Sequence, residues 1–491
     1  MSSIKQEVKI NEELLDEKLE ELEKARSWSP RVISKLENSI RSEDDYSLFR
    51  INPLKFGKEK NISEKEAIDL FLYGSKIGLF DMNWQLLCPE CGDVVESFSR
   101  LRTLNTHYHC NLCQDDFEAV LDDYIEISFT IVQPIRELIF HNPESLSVED
   151  YYFKYAFSQG TLFPDGSNFV EWLKSLTKII TYLEPNEKKQ YELEIPSGYL
   201  RGCDRMNRAE FLFNVSGNTD KAIHKFSLKI VDGEFEPKGG DLSPGKYILE
   251  LENLTKKRGA LFIIHHPHDV SPQMLRFEPF LFGKKLLITQ TFRNLFRSEI
   301  IEGTEGIGVR DITILFSDLK GSTALYDRIG DLNAFALVRQ HFESLERVIR
   351  EHSGAIVKTI GDAVMATFLN PIDAVNAALK MIEEIQQFNK RVRSSDIILK
   401  IGIHKGPSIA VTLNERLDYF GQTVNVASRV QRLADAEEIF VSNDVYIYPG
   451  VKELLKDFEI NPRKAKLRGV QEETQVYKIT KNRDLIQPTI D

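Results

Sequence analysis

Two aspartates, each at the end of a short β-rich run, constrain the C-terminal third of this chain more than any other feature. Asp318 closes an apolar run within the motif FSDLKGST, residues 316–323. The glycine and serine that follow predict a tight turn and then a helix N-terminus. Free amides at a helix N-terminus favour a phosphate, and a nearby carboxylate can hold the metal ion that bridges to it.

The second aspartate, Asp362, lies in the motif KTIGDA, residues 358–363. Apolar runs on both sides of Gly361 predict a β-hairpin that turns at this point. Carboxylates offered by two strand ends are the hard oxygen ligands that a pair of Mg²⁺ ions needs for phosphoryl transfer. The two motifs together therefore predict metal-assisted phosphoryl chemistry.

A third motif, DYFGQTVNVASR, occupies residues 418–429 and predicts a turn followed by a helix. Asn425 and Arg429 are four residues apart, so they share one helix face. In this order and spacing, the three motifs resemble the catalytic domain of class III adenylyl and guanylyl cyclases, over about residues 311–477. The resemblance implies two divalent ions per site, Mg²⁺ or Mn²⁺, bound by Asp318 and Asp362 with the carbonyl of Leu319 as a further ligand.

The resemblance also implies roles for three polar residues. Asn425 would contact the ribose, and Arg429 would stabilise charge on the α-phosphate as pyrophosphate leaves. Arg468, in the motif LRG at 467–469, stands where the family usually has a lysine that touches the triphosphate. The substitution keeps the positive charge, so we expect Arg468 to bind the triphosphate.

Nucleobase choice can be argued from hydrogen bonding alone. Adenine presents an acceptor at N1 beside a donor at its exocyclic amine, and Lys358 and Asp418 supply the matching donor and acceptor. Guanine reverses this pattern, and a guanine reader would want an acceptor near position 358. We therefore expect ATP as substrate, with GTP or a pyrimidine nucleotide as the alternative.

Each motif alone has a more common explanation. A Gly-Asp turn after a strand is usually a solvated hairpin, and Asn425 with Arg429 could be a polar helix face. Lys358 could be a surface lysine, and Asp418 a turn former. The joint occurrence of all six residues in this order favours the catalytic interpretation.

Four of the five cysteines form two knuckles, CPEC at 88–91 and CNLC at 110–113. Their spacing predicts a zinc ribbon in which Cys88, Cys91, Cys110 and Cys113 hold one structural Zn²⁺. The remaining thiol, Cys203, is expected to be a small core residue.

Composition excludes several other classes of protein. The 491 residues are too many for one core and suggest about three domains. A formal net charge of -12 disfavours binding to nucleic acid or to an anionic membrane. No stretch approaches the roughly 20 apolar residues of a membrane span, and the N-terminus lacks the apolar core of a signal peptide. We therefore expect a cytoplasmic protein with no nucleic-acid or membrane partner.

The chain as a whole predicts a multidomain α+β protein. The expected segments are a charged arm at 1–28, a helical, winged-helix-like unit at 29–86, the zinc ribbon at 87–120, a β-sandwich-like domain with a helical insertion at 121–284, a helical linker at 285–308 and the cyclase domain at 309–480. The cyclase domain should be a ferredoxin-like unit with the order strand, helix, two hairpin strands, helix, strand. We expect helices at 322–352 and 371–392.

In the family, paired domains share their active sites, so a chain that carries all the residues itself should be a homodimer with two equivalent sites. Two alternatives come from other functional classes. The cyclase fold could be a catalytically silent sensor that only dimerises, which would be marked by loss of a metal aspartate. The zinc ribbon could belong to a transcription regulator, which the acidic net charge disfavours.

Overall fold

The structure is a computed structural model that describes residues 9–101, 104, 107–122, 124–219, 222–268, 275–297, 306–392, 397–413, 416–470 and 472–481. Its contacts divide the chain into two compact units. The first comprises Met1–Ser99, Asn105–Ala119 and Tyr124–Leu281, and the second Arg100–Leu104, Val120–Asp123 and Phe282–Asp491. In the described part of the chain, no helix is long and apolar enough to span a membrane.

The α-helices are α1 (Glu12–Ala25), α2 (Val32–Ser42), α3 (Pro53–Lys60), α4 (Glu64–Lys76), α5 (Val148–Asp150), α6 (Phe169–Leu176), α7 (Gly283–Leu287), α8 (Gln290–Leu295), α9 (Ser322–Ile329), α10 (Asp331–Glu351), α11 (Pro371–Val392), α12 (Gln422–Gln431), α13 (Asn443–Tyr446) and α14 (Val451–Leu454). Short 3₁₀ turns cover Ile139–His141 and Pro143–Ser145, and a π-helix covers Tyr151–Ala156.

The strands are β1 (Phe80–Leu87), β2 (Val94–Phe98), β3 (His107–Cys110), β4 (Asp115–Glu118), β5 (Ile125–Ile131), β6 (Thr161–Leu162), β7 (Thr177–Leu183), β8 (Lys188–Ile195), β9 (Gly198–Asp204), β10 (Ala209–Val215), β11 (Ile223–Val231), β12 (Glu234–Glu236), β13 (Gly239–Leu242), β14 (Gly245–Asn253), β15 (Gly259–His266), β16 (Arg276–Phe277), β17 (Leu281–Phe282), β18 (Ile307–Leu319), β19 (Ala355–Ile360), β20 (Ala363–Phe368), β21 (Leu399–Leu413), β22 (Arg416–Phe420), β23 (Ile439–Ser442), β24 (Phe458–Ala465) and β25 (Thr474–Lys481).

The first unit begins with four helices. Leu15, Leu19 and Leu22 of α1 recur at helical spacing and are all buried. The charged arm predicted at 1–28 thus contains a helix whose apolar stripe is packed inside the unit, while most of its charged residues are exposed. At α4 the side chain of Ser63 caps the helix by accepting from the amide of Glu66.

Two β-sheets follow in the same unit. One has the strand order β13-β10-β9-β15-β7 and the other β12-β11-β14-β8. Buried residues from both sheets, such as Phe211, Ile263 and Leu249, belong to one hydrophobic cluster. The two sheets thus face each other across a common core. Strand β9 was not anticipated from sequence, because Arg201 and Gly202 interrupt its apolar pattern.

The second unit is built on a sheet with the order β19-β20-β18-β21-β23-β25-β24, to which β22 adds by pairing with β21. Strands β18, β19, β20 and β21, with α9–α10 and α11 between them, follow the expected order strand, helix, two strands, helix, strand. Helix α11 has the predicted bounds. The other predicted helix, 322–352, is divided at Gly330, whose positive φ of 77° ends α9 before α10 begins.

The second unit also contains residues outside the predicted cyclase boundaries. The amide of Leu121 donates to the carbonyl of Gly308 (3.1 Å), and the amide of Lys284 donates to the carbonyl of Leu121 (2.8 Å). Helices α7 and α8 belong to the same unit. Residues 298–305 of the predicted linker lie outside the described residues.

Candidate functional site

The first candidate metal ligand, Asp318, is near the end of β18. Its carboxylate lies 2.8 Å from Lys400 Nζ, on the neighbouring strand β21 where the two residues are register partners. Leu319, the last residue of β18, is buried. Beyond it Gly321 adopts a positive φ of 73° and α9 begins at Ser322, as the motif predicts.

Asp362 stands at the hairpin turn between β19 and β20. The register pairs Ser317 with Val364, so Asp318, near the end of β18, and Asp362, just before the start of β20, lie at the same end of two adjacent antiparallel strands. The Oδ2 atom of Asp362 is buried and accepts no hydrogen bond from the described part of the chain. A buried carboxylate oxygen without a donor suits a cation. These residues therefore fit the expected divalent ions.

A buried histidine, His341, interacts electrostatically with the carboxylate of Asp362. Burial lowers the pKa of His341 to about 4, and the charge of Asp362 opposes that shift. The imidazole is therefore neutral at pH 7, and it adds no positive charge that would compete with a cation.

Lys358 on β19 and Asp418 on β22 form an ion pair, with 2.5 Å between Nζ and Oδ2. Asp418 Oδ1 accepts from the backbone amide of Tyr419 at 2.8 Å. The Asp418 side chain is only 9% exposed, whereas that of Lys358 is 37% exposed. The structure thus brings together the donor and the acceptor that the sequence assigned to the nucleobase.

Asn425 and Arg429 lie on α12, which begins after Gly421. Asn425 is exposed and Arg429 half-buried. The guanidinium of Arg429 is close to Gly469. A Cβ atom added to that glycine would lie only 3.4 Å from Arg429 Nη2. The turn that carries the exposed Arg468 is therefore next to Arg429.

The four cysteines of the two knuckles meet in the first unit, with all four sulfur atoms within 4.8 Å of one another. Cys88 and Cys113 Sγ are 3.6 Å apart, and Cys91 and Cys110 Sγ are 3.7 Å apart. A tetrahedral site with zinc–sulfur bonds of about 2.3 Å requires separations of about 3.8 Å. The cluster therefore fits one Zn²⁺.

The two knuckles repeat the same turn. The amide of Gly92 donates to the carbonyl of Cys88, and that of Gln114 to the carbonyl of Cys110, at 2.9 and 2.7 Å. Both residues have a positive φ, 66° and 59°. This repeat explains how two short loops can present their thiols to one centre. Cys203 is buried and is not part of the cluster.

Sequence reasoning missed two kinds of residue near the candidate site. Lys400 is not predicted as a site residue from the sequence. The signal that points to it is a lysine that alternates with apolar residues on a strand. Gln290 and Arg293 of α8 were assigned only to a linker. Gln290 accepts a hydrogen bond from Ile356 of β19, and Arg293 donates one to Leu417 of β22.

Two parts of the chain match known protein families. Residues 307–481 match the adenylate and guanylate cyclase catalytic domain, and residues 15–294 match a family of unknown function, DUF5939.

Among curated proteins, an adenylate cyclase of Anabaena cylindrica is 34% identical over 151 residues, which is 27% of this chain and 30% of that protein. A receptor-type guanylate cyclase of Drosophila melanogaster, Gyc76C, is 30% identical over 154 residues, 29% of this chain and 10% of that protein. The chain therefore spans less than a third of the length of either relative.

Among solved structures, the adenylyl cyclase CyaB from P. aeruginosa covers 37% of this chain and 98% of its own, at 22% identity and a TM-score of 0.32. The guanylate cyclase domain of RhGC from Catenaria anguillulae, in complex with GTP, covers 36% and 98%, at 25% identity and a TM-score of 0.32. The match to residues 15–294 covers more than half of the 491 residues. The chain belongs to the DUF5939 family of unknown function, and its C-terminal part is an adenylate and guanylate cyclase catalytic domain.

Proposed function

We propose that the protein is an adenylyl cyclase that converts ATP to 3′,5′-cyclic AMP and pyrophosphate. The observation that supports this most strongly is the pairing of Lys358 with Asp418 at 2.5 Å. A lysine donor beside a carboxylate acceptor matches the acceptor N1 and the donor amine of adenine. On nucleotide binding, the two side chains would exchange their mutual contact for the base edge.

The remaining residues have distinct tasks in this proposal. Asp318, the carbonyl of Leu319 and Asp362 would hold two divalent ions, Mg²⁺ or Mn²⁺. When bound, these ions lower the pKa of the ribose 3′-hydroxyl and offset the charge of the triphosphate. Asn425 orients the ribose, and Arg429 stabilises the charge that builds on the α-phosphate. Arg468 binds the triphosphate.

The active protein would be a homodimer, in which one protomer supplies the aspartates and its partner supplies Asn425 and Arg429. Exposed apolar side chains beside the site support this arrangement. Ile360, two residues before Asp362, is 51% exposed, and Phe420, two residues after Asp418, is 64% exposed. Large apolar side chains at such positions are typical of surfaces that a second copy covers.

The four-cysteine cluster would bind Zn²⁺ as a structural element of the first unit. Four thiolates close the coordination shell and leave no position for a reacting water. The binding energy of the metal then becomes folding energy.

The proposal is tested by incubating the purified full-length protein with ATP, GTP, CTP or UTP, each with Mg²⁺ or Mn²⁺. The product is separated and identified by mass. Cyclic AMP as the main product supports the proposal. Cyclic GMP as the main product would favour the guanylyl alternative, and no cyclic product from any nucleotide would favour a silent sensor.

A further inference from the structure

Helix α8, Gln290–Leu295, connects two differently assigned parts of the chain. Residues 290–294 fall inside the stretch matched by the family of unknown function and outside the matched cyclase domain. By its contacts, however, the helix belongs to the second unit. Gln290 and Phe292 are buried there, at 7% and 0% exposure. The helix is therefore a built-in part of the catalytic unit rather than a loose tether.

The segment before α8 is fixed on the same unit. Lys284 is only 8% exposed, and its Nζ donates to Asp122 Oδ1 at 2.5 Å and to the carbonyl of Asp311 at 2.7 Å. A buried lysine with an ion-pair partner holds its backbone in place, since breaking the pair would leave an unpaired charge. Helices α7 and α8 thus start from a rigid anchor.

Gln290 holds the strand that carries Lys358. Its Oε1 accepts from the amide of Ile356 at 2.7 Å. The register of β19 against β20 shifts between Ile356 and Lys358. Such a bulge interrupts the ladder and changes the direction of nearby side chains. The contact from Gln290 therefore stabilises the irregularity that sets where Lys358 points.

Arg293 holds the strand that carries Asp418. Its Nε donates to the carbonyl of Leu287 at 2.8 Å, and its Nη1 donates to the carbonyl of Leu417 at 3.1 Å. The guanidinium also lies 5.6 Å from the ring centroid of Tyr419, which is 2% exposed. The two residues on either side of Asp418 are thus both in contact with one side chain of α8.

Gln290 and Arg293 are one helical turn apart and therefore share a face of α8. One rigid helix fixes the two strands whose side chains meet in the Lys358–Asp418 pair. We infer that Gln290 and Arg293 are positioning residues for nucleobase selection. The inference rests on the proposed function, because it assigns Lys358 and Asp418 to the base edge.

The test uses the full chain with Gln290→Met, which removes the acceptor at similar volume, and Arg293→Ala. Each variant should lower the ratio of kcat/KM for ATP to that for GTP by about tenfold, because a displaced polar pair discriminates less well. The Mg²⁺ concentration for half-maximal rate should not change, since Asp318 and Asp362 are untouched. A merely structural role would lower kcat/KM for ATP and for GTP by the same factor and leave their ratio unchanged.

Two matched controls accompany these variants. Gln290→Glu keeps an acceptor for Ile356 and should retain the ratio of the unmodified protein. Arg297→Ala removes the same charge four residues further along, at an exposed position past the end of α8, and should also retain it. Thermal unfolding identifies variants that fail to fold, and Arg293→Lys then replaces Arg293→Ala, because it loses the two-point contact but keeps the charge.

Hydrogen exchange separates this inference from the proposed function. Amides in β19 and β22 should exchange faster in Gln290→Met and Arg293→Ala, respectively, whether or not the protein is active. If the unmodified protein cyclises no nucleotide, the proposed function fails. If the amides of β19 and β22 also exchange as slowly in the variants as in the unmodified protein, the positioning role is overturned as well. If the protein is active and the folded variants keep the same ratio of kcat/KM for ATP to kcat/KM for GTP, the inference is overturned.

Discussion

Lys400 Nζ lies 2.8 Å from the carboxylate of Asp318, on the strand directly beside it. The lysine neutralises an aspartate that is expected to bind a divalent ion. A metal ion that binds Asp318 must therefore compete with an ammonium group already in place. The proposed affinity of Asp318 for metal should therefore depend on this lysine of the neighbouring strand.

Lys400→Met should lower the Mg²⁺ concentration needed for half-maximal activity. A partly exposed pair contributes about 1 kcal/mol or less, which corresponds to a change of up to about fivefold. Lys405→Met is the matched control, because Lys405 lies on the same strand but pairs with Asp311 at 3.0 Å. Metal titrations of the initial rate measure both variants. A higher Mg²⁺ requirement in Lys400→Met would show that the lysine assists metal binding.

Nucleobase preference should follow the Lys358–Asp418 pair. The double variant Lys358→Glu with Asp418→Cys inverts the hydrogen-bond pattern at the base edge, so it should lose ATP turnover and gain GTP turnover. Discrimination by buried polar contacts reaches on the order of 10⁴ in favourable cases. Competition between ATP and GTP in one reaction measures the change. If the preference for ATP persists, the base is recognised elsewhere.

Zinc should be a structural element of the first unit. Cys91→Ser should abolish one equivalent of bound zinc and lower the melting temperature by on the order of 10 °C, because the binding energy of the metal stabilises the fold. Cys203→Ser is the control, since this buried thiol is outside the cluster and zinc content should stay at one equivalent. Elemental analysis and calorimetry measure both quantities. A zinc-free native protein of equal stability would refute the assignment.

Acid should destabilise the catalytic unit through His404. Burial lowers the pKa of His404 to about 4, so the unfolded chain, with an ordinary pKa near 6.5, binds the proton more tightly than the folded one. This contribution to stability is complete above pH 6.5 and is lost as the pH falls towards 4. At pH 5.5 the loss is about 1 kcal/mol.

His404→Gln is the variant that checks this contribution. Glutamine can still bond to Ser442 Oγ, the present partner of His404 Nδ1 at 2.8 Å. Denaturant unfolding at pH 7.5 and 5.5 should show a smaller pH-dependent loss in the variant than in the unmodified protein. Equal losses in both proteins would mean that other groups govern the acid sensitivity.

Local signals allowed much of the catalytic unit to be predicted. The Gly361-Asp362 turn, the start of α9 after Gly321 and the bounds of α11 all follow from turn residues and apolar periodicity. These features depend on residues close together in sequence. The spacing of the four cysteines was informative for the same reason.

Relationships between distant residues could not be predicted. Lys400 meets Asp318 only because of the register of β18 and β21, which no local pattern specifies. Gln290 and Arg293 look like ordinary polar residues of a linker until α8 is placed against β19 and β22. The burial of α1 was missed because its many charges outweigh three leucines in composition, although those leucines form one stripe.

The central claim is a cyclase site shared between two copies of the chain, and mixing two inactive variants tests it most directly. Asp318→Ala removes a proposed metal ligand, and Arg429→Ala removes the group proposed to stabilise the transition state, so each homodimer should be inactive. When the two chains are mixed, each heterodimer should contain one intact site and cyclic AMP formation should return. If the heterodimer forms, as shown by two affinity tags, and remains inactive, the shared-site account is contradicted.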